Sequence, residues 1–232
     1  MCAAITVKDL VKRFGSHEAV AGITFNVEEG EVFGLLGPNG AGKTTTIRIL
    51  TTLLPPTAGQ IKVEGMDVSR QGALVRRLIG YVPQALSADG TLTGYENLLF
   101  FAKLLRIPAQ EREKRIGEVL ALLDLEEAAA RLVREYSGGM VRRLEIGQAV
   151  LHRPRILILD EPTVGLDPVA RHTVWHVLEL LRQETGLTVV LTTHYMEEAE
   201  AACQRVAIMN QGRIVAQGTP AELKNQTGKP QA

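Results

Sequence analysis

Gly37-Pro38-Asn39-Gly40-Ala41-Gly42-Lys43-Thr44 lies between the apolar run Val32 to Leu36 and a helical pattern. It is G-x-x-x-x-G-K-T in the strand, loop and helix context that gives this motif its meaning. The glycines let the backbone curl with its N–H groups inward, making a nest for phosphate oxygens. A helix opening near Gly42 adds the positive end of its dipole at the same point. Lys43 is placed to meet the β- and γ-phosphates of a nucleotide as a point charge. The Thr44 hydroxyl is placed to take one position on Mg²⁺. An ordinary glycine turn has no need of Lys and Thr in those two places. A dinucleotide fingerprint, G-x-G-x-x-G, fits less well, because the glycines fall at 37, 40 and 42. The candidate phosphate-binding set is Gly37, Pro38, Asn39, Gly40, Ala41, Gly42, Lys43, Thr44 and Thr45.

A second half-site stands at Ile156-Leu157-Ile158-Leu159-Asp160-Glu161. It is an apolar strand with two carboxylates at its C-terminal end, where α/β proteins build their sites. Asp160 is the candidate metal carboxylate, acting through the water shell of Mg²⁺. Glu161 is the candidate general base that polarises an attacking water.

Strands and helices alternate around these two motifs. Residues 5–8, 23–27, 60–63 and 81–82 read as short strands, with turns at Glu29-Gly30 and Thr57-Ala58-Gly59. The character then changes. Thr93-x-x-Glu96 is a capping box before the apolar run 98–105. Ile116, Val119, Leu120 and Leu123 recur at i, i+3, i+4 and i+7 as one helical face, with Glu111 and Arg115 paired on the charged side. Later, residues 155–160 and 187–193 are apolar runs fit for the centre of a parallel sheet. Residues 206–209 and 213–216 flank Gln211-Gly212 as a hairpin, and Thr219-Pro220 starts a last short helix. The expected organisation is a single domain over 1–232. Its core covers about 1–82 and 152–232, and its helical subdomain about 83–151. The tail beyond Thr227 is expected to fray. Glu197, Glu198 and the charged helix after Pro108 read as solvated faces.

Composition excludes several classes. Lys plus Arg is 26 and Asp plus Glu is 26, so the formal charge is zero and a broadly basic nucleic-acid surface is excluded. Aromatics are 4%, too few for an array of base-stacking platforms. Cys2 and Cys203 stand in no CxxC pair, so neither a disulfide scaffold nor a zinc module is expected, and a reducing compartment fits. No run of 18 apolar residues occurs, and Lys8, Asp9, Lys12 and Arg13 fall where a leader would need its apolar core.

Tyr136-Ser137-Gly138-Gly139-Met140 resembles the LSGGQ signature of ATP-binding cassette (ABC) ATPases, and it precedes Asp160-Glu161 by the family's spacing. Other cassette elements follow in order. Gln84, in Tyr81-Val82-Pro83-Gln84, looks like the Q-loop glutamine. Asp167, in Gly165-Leu166-Asp167, looks like the D-loop aspartate. His194, in Thr192-Thr193-His194, looks like the switch histidine. Phe14 is placed like the aromatic that stacks on adenine, although the family often has Tyr there. The resemblance spans about residues 4–225 and implies an α/β fold: a P-loop, RecA-like core with an N-terminal antiparallel β region and a helical signature subdomain. It implies ATP and Mg²⁺ as ligands, with Thr44, Gln84 and Asp160 on the metal and Glu161, Gln84 and His194 in catalysis. It also implies a head-to-tail dimer, in which Ser137, Gly138 and Gly139 of one copy face the γ-phosphate held by the other, with Asp167 beside them. Only glycine lets the backbone approach a phosphate so closely.

Met140 stands where the signature usually has Gln. It falls on one helical face with Leu144 and Leu151, which points to packing. The run 137–144 resembles the exporter branch that includes daunorubicin-type drug pumps. The resemblance therefore implies an ATPase subunit that powers export through separate transmembrane subunits, held at the cytoplasmic face of the membrane and contacting them near Gln84 and Tyr95. A non-transport cassette such as an iron–sulfur assembly ATPase is the alternative. Translation-type cassettes usually carry two phosphate loops in one chain, and chromosome-type cassettes are split by a long coiled coil. This chain has one phosphate loop and too short a span between Lys43 and Ser137.

Overall fold

The computed structural model describes residues 3–227; Cys2 and the tail beyond Thr227 lie outside them. Strand β1 (Ala3–Phe14) pairs antiparallel with β2 (His17–Glu28) around a tight turn at Gly15. Both strands run several residues further than periodicity predicts. A register shift between Val7 and Leu10, with Asp9 at φ 48°, puts an irregularity in β1. The bulge breaks the period-two pattern, so the sequence loses the strand halfway along.

Strand β3 (Val32–Leu36) feeds the phosphate loop, which opens α1 (Lys43–Leu50). Strands β4 (Ala58–Val63) and β5 (Met66–Asp67) complete a four-stranded antiparallel sheet in the order β2-β1-β4-β5. Helix α2 (Gly72–Leu78) leads into β6 (Ile79–Val82). Helices α3 (Gly94–Leu104), α4 (Ala109–Leu122) and α5 (Gly138–Val150) follow. The Thr93 hydroxyl accepts from the Glu96 N–H while the Glu96 carboxylate accepts from the Thr93 N–H, so α3 starts on the capping box read from sequence. Then come β7 (Ile156–Asp160), α6 (Pro168–Thr185), β8 (Thr188–Thr193) and α7 (Met196–Ala202). A hairpin of β9 (Arg205–Asn210) and β10 (Arg213–Gly218) precedes α8 (Pro220–Thr227).

The second sheet has the order β10-β9-β3-β8-β7-β6, parallel throughout except for the β9–β10 hairpin. Every residue of β3, β7 and β8 is buried, as a strand covered on both faces requires. Side-chain alternation then divides the core in two. Ile156, Ile158 and Val190 join a cluster under the antiparallel sheet and α1, with Ile5, Phe25 and Ile47. Leu157, Leu159 and Leu191 face the other way and pack with Leu98, Ile116, Leu144 and Val174 of the helices. Met140 is half-buried against this second cluster, which also holds Leu144 and Leu151, so its side chain packs. Each fully buried Leu or Ile contributes about 1.5–3 kcal/mol of transfer free energy.

Candidate functional site at the C-terminal ends of the strands

Parallel strands bring their C-terminal ends to one edge of the sheet. Beyond β3 lies Gly37, beyond β6 Gln84, beyond β7 Glu161 and beyond β8 His194. Residues 84, 161 and 194 are distant in sequence and meet only because of strand order.

The loop from Gly37 to Gly42 curls over the start of α1. Gly42 has φ 102°, and a Cβ there would stand 2.5 Å from the Ala19 carbonyl oxygen, so the position requires glycine. Lys43 is buried at 4% exposure and folds back under the loop. Its ammonium donates to the carbonyls of Gly37 at 2.7 Å and Pro38 at 3.2 Å, and lies 3.2 Å from Glu161 Oε1. A hollow of about 440 Å³ opens beside it, lined by Phe14, His17, Ala19, residues 39–45, Gln84 and Glu161.

Asp160 ends β7 at 1% exposure. Its Oδ1 accepts from Thr44 Oγ1 at 3.2 Å and from Thr192 Oγ1 at 2.7 Å. Hard oxygens from a hydroxyl and a carboxylate suit Mg²⁺, which takes one or two protein oxygens and completes its shell with phosphate and water. The residues therefore fit that ion. Among the described residues no three His, Cys, Asp or Glu side chains form an all-protein cage.

Glu161 is 5% exposed and has φ 47°, a left-handed backbone that a non-glycine residue rarely adopts. Its N–H donates to Thr192 Oγ1 at 2.9 Å. Its Oε2 accepts from Gln84 Nε2 at 3.4 Å and lies 3.4 Å from His194 Nδ1. That His194 nitrogen is buried and makes no hydrogen bond. Near the outer rim Phe14 is 49% exposed, with the Lys12 ammonium 5.1 Å from its ring centre. An exposed aromatic face at the mouth of a phosphate hollow can stack on a planar base.

The structure brings Phe14, the loop residues, Gln84, Asp160, Glu161 and His194 to one edge. Ser137, Gly138, Gly139 and Asp167 do not line the hollow. Ser137 caps α5, accepting from the Met140 N–H at 3.3 Å, and Asp167 caps α6, accepting from the N–H groups of Val169 and Ala170. The close approach at Gly139 lies within the chain: a Cβ there would meet the Ala170 Cβ at 2.7 Å, so glycine allows α5 to pack on α6.

Sequence reasoning missed several supporting groups. Thr192 holds both Asp160 and the Glu161 N–H, and its signal was a hydroxyl near the C-terminal end of a fully buried strand. Arg142 is fully buried and donates to the carbonyls of Pro83 at 2.7 Å and Gln84 at 2.8 Å. Its partner Glu145, 3.0 Å away, accepts from the Ser87 N–H, from Ser87 Oγ at 3.1 Å and from the Ala88 N–H at 3.3 Å. Two side chains of α5 thus clasp the loop that carries Gln84. Burial lowers the Arg142 guanidinium from its ordinary range, while Glu145 and then Asp160 oppose the shift. Glu198 overturns the reading of the 197–198 pair as a solvated face. It is 5% exposed and its carboxylate accepts two threonine hydroxyls.

Known proteins share these features. The family model described as ABC transporter matches residues 20–164. The linearmycin resistance ATP-binding protein LnrL of Bacillus subtilis (strain 168) is 44% identical over 226 residues, covering 97% of this chain and 72% of that protein. The daunorubicin/doxorubicin resistance ATP-binding protein DrrA of Streptomyces peucetius is 44% identical, covering 97% of this chain and 68% of its own. Among solved structures, cbiO1 from Clostridium perfringens, part of the ABC transporter complex cbiONQ, superposes with a TM-score of 0.90 at 29% identity, covering 98% of this chain and 92% of that one. The dimeric ATP-binding cassette MJ0796, bound to ADP and Pi in a post-hydrolysis state, gives 0.81 at 29% identity, covering 93% of this chain and 98% of that one. With a glycine-rich loop, paired carboxylates and a histidine at one sheet edge, and with these relatives across nearly its whole length, the chain belongs to the ABC transporter family as one of its ATP-binding ATPase subunits.

Proposed function

We propose that this subunit hydrolyses ATP at the hollow beside Lys43 and uses the cycle to power export through separate transmembrane subunits. The observation that carries the reading is the Glu161 carboxylate, buried between Lys43, Gln84 and His194 at the open end of β7. Lys43 and the loop N–H groups bind the β- and γ-phosphates, and Phe14 stacks on the base. Thr44, Asp160 and Gln84 would hold Mg²⁺, which would supply positive charge to offset that of the phosphates. ATP phosphate oxygens draw Lys43 away from Glu161, leaving its carboxylate free to accept a proton from the attacking water. His194 and Gln84 orient that water and the γ-phosphate.

Two copies complete the site. Ser137 and Gly138 are exposed at the start of α5, with Gly139 buried behind them. Ser137 and the N–H groups of this first turn offer a second set of donors to the γ-phosphate of a facing copy, with Asp167 beside them. The named roles of the linearmycin and daunorubicin resistance proteins favour export. No helix among the described residues is long and apolar enough to cross a membrane, and relatives named as ATP-binding proteins favour a path formed by separate subunits. The exposed Leu86, Tyr95, Phe100 and Leu104, near Gln84 and along α3, are its proposed contact at the cytoplasmic face. We also propose the division into a core of about 1–82 and 152–232 and a helical subdomain of about 83–151. Its α5 packs on α3 and α4 within the subdomain and on β6 and α6 of the core.

Light scattering on Glu161→Gln tests the shared site. The variant should dimerise with Mg-ATP, dissociate with ADP, and lose the dimer when Ser137→Arg is added. A variant that binds ATP yet stays monomeric at every concentration, with the membrane subunits present, rejects the facing-copy site.

A further inference from the structure

We propose that Glu198 is a positioning residue for hydrolysis, a buried carboxylate that ties the loop carrying Glu161 to the loop carrying His194. The inference rests on the catalytic reading above and goes beyond it to a residue that does not line the hollow. Glu198 sits on α7 at 5% exposure. Its Oε1 accepts from Thr163 Oγ1 at 2.5 Å and its Oε2 from Thr193 Oγ1 at 2.6 Å. Thr163 lies two residues after Glu161, and Thr193 immediately precedes His194. One carboxylate therefore spans the exits of β7 and β8. Short hydrogen bonds to an ionised acceptor are the stronger kind, and here two of them share one rigid planar group.

Arg171 of α6 lies 3.5 Å from Glu198 Oε1 and supplies the counter-charge. The same guanidinium sits 5.3 Å over the Tyr195 ring, which packs against the His194 ring at 4.0 Å. The Tyr195 N–H donates to Thr193 Oγ1 at 3.0 Å, fixing the hydroxyl that Glu198 holds. His194 is thus steadied from two sides, through its backbone by Thr193 and through its ring by Tyr195. Without the tie, the 3.4 Å approach of His194 Nδ1 to Glu161 Oε2 keeps the Tyr195 packing and the Thr192 hydrogen bond but loses the side chain that links the two loops. A displacement of about 1 Å at a reacting group can cost on the order of 10²-fold in rate.

The test measures steady-state phosphate release and equilibrium Mg-ATP binding on the full chain. Glu198→Ala should lower kcat by about 10–10²-fold and leave ATP affinity near the parent value, since Lys43, Thr44 and Asp160 are untouched. Glu198→Gln keeps one acceptor and can turn an amide N–H toward the second hydroxyl, so it should recover most of the rate. If Glu198→Ala fails to fold, Thr193→Val and Thr163→Val each remove a single hydroxyl at nearly constant shape, and each should lower kcat alone. The decisive arm is the double variant. Where His194→Ala has already lost rate, adding Glu198→Ala should cost little more, because both act at one point. Parental kcat in Glu198→Ala, a loss confined to KM, or full additivity with His194→Ala overturns the tie. Parental kcat in His194→Ala overturns the catalytic reading of that histidine and, with it, the tie.

Discussion

Two buried ion pairs lie close to the Gln84 loop, and their surroundings differ. Lys43 and Glu161 meet at 3.2 Å with side chains 4% and 6% exposed; Arg142 and Glu145 meet at 3.0 Å at 2% and 1%. By distance and burial they are alike. The first borders an open hollow of about 440 Å³. The second is wrapped in the backbone of residues 83–88, which takes hydrogen bonds from the arginine and gives them to the glutamate. A buried pair enclosed by its own loop can only hold that loop. A buried pair on a hollow can exchange one partner for a ligand. Size alone does not mark the site: a larger hollow of about 690 Å³ lies at the opposite end of the sheet. Its arginines are already paired there, Arg153 with Glu118 and Arg155 with Glu64.

The contrast can be broken from either side. Arg142→Ala leaves Glu145 buried without its counter-charge and strips two carbonyls of their donor. Breaking such a pair costs about 3–5 kcal/mol of stability. Chemical denaturation should show that loss with and without Mg-ATP; a stability change under about 1 kcal/mol would make the clasp dispensable. Lys43→Ala also leaves a carboxylate without its counter-charge, but Glu161 borders the hollow, where water can reach it, so the stability loss should be smaller than in Arg142→Ala and the binding change large. Hydrogen bonds to charged groups contribute about 1.5–3 kcal/mol, so ATP affinity should fall by about 10–100-fold. Equal affinity by calorimetry removes Lys43 from the site.

Smaller effects sharpen the same distinction, because they concern the half-buried His152 and the buried Cys203, both away from the hollow. Burial lowers the His152 imidazole from its usual value, with Arg115 assisting and the Ile79 backbone opposing. The unfolded chain then takes up the proton first. Stability is present above the ordinary histidine pKa of about 6.5 and is lost as pH falls through it. The thermal midpoint should drop from about pH 7.5 to about 5.5, and His152→Phe should flatten the drop; an unchanged slope rejects the assignment. Burial pushes the Cys203 thiol up to about 12, with Glu31 and Glu198 adding to it. Alkylation of Cys203 in the native protein should be slow and indifferent to Mg-ATP. Protection by ATP would connect that side of α7 to the hollow.

What was legible in the sequence follows from range of contact. Gly37 to Thr44 and Asp160-Glu161 carry their chemistry in local spacing, so strand and loop positions could be read directly. The irregularity near Asp9 hid half of β1, because a single extra residue inverts the alternation that marks a strand. Glu198 looked like its neighbour Glu197. Adjacent helical residues point about 100° apart, and only the distant partners Thr163 and Thr193 show which of the two is buried. Arg142 was invisible for the same reason, since its acceptors at Pro83 and Gln84 lie far back in the chain. Ser137 and Asp167 stood out in the sequence by resemblance to the signature and the D-loop, and in the single copy the structure shows them as the caps of α5 and α6.

Mg-ATP titration of Glu161→Gln, beside the parent and Lys43→Ala, tests most directly whether the Lys43–Glu161 pair is the exchangeable one. In the free protein Glu161 competes with phosphate for the Lys43 ammonium. Removing its charge while keeping its shape should leave ATP affinity equal to the parent or tighter. Turnover in the same variant should fall by about 10²–10⁴-fold. Lys43→Ala should bind weakly. A Glu161→Gln protein that binds ATP as poorly as Lys43→Ala, or that hydrolyses it at the parental rate, would contradict the account.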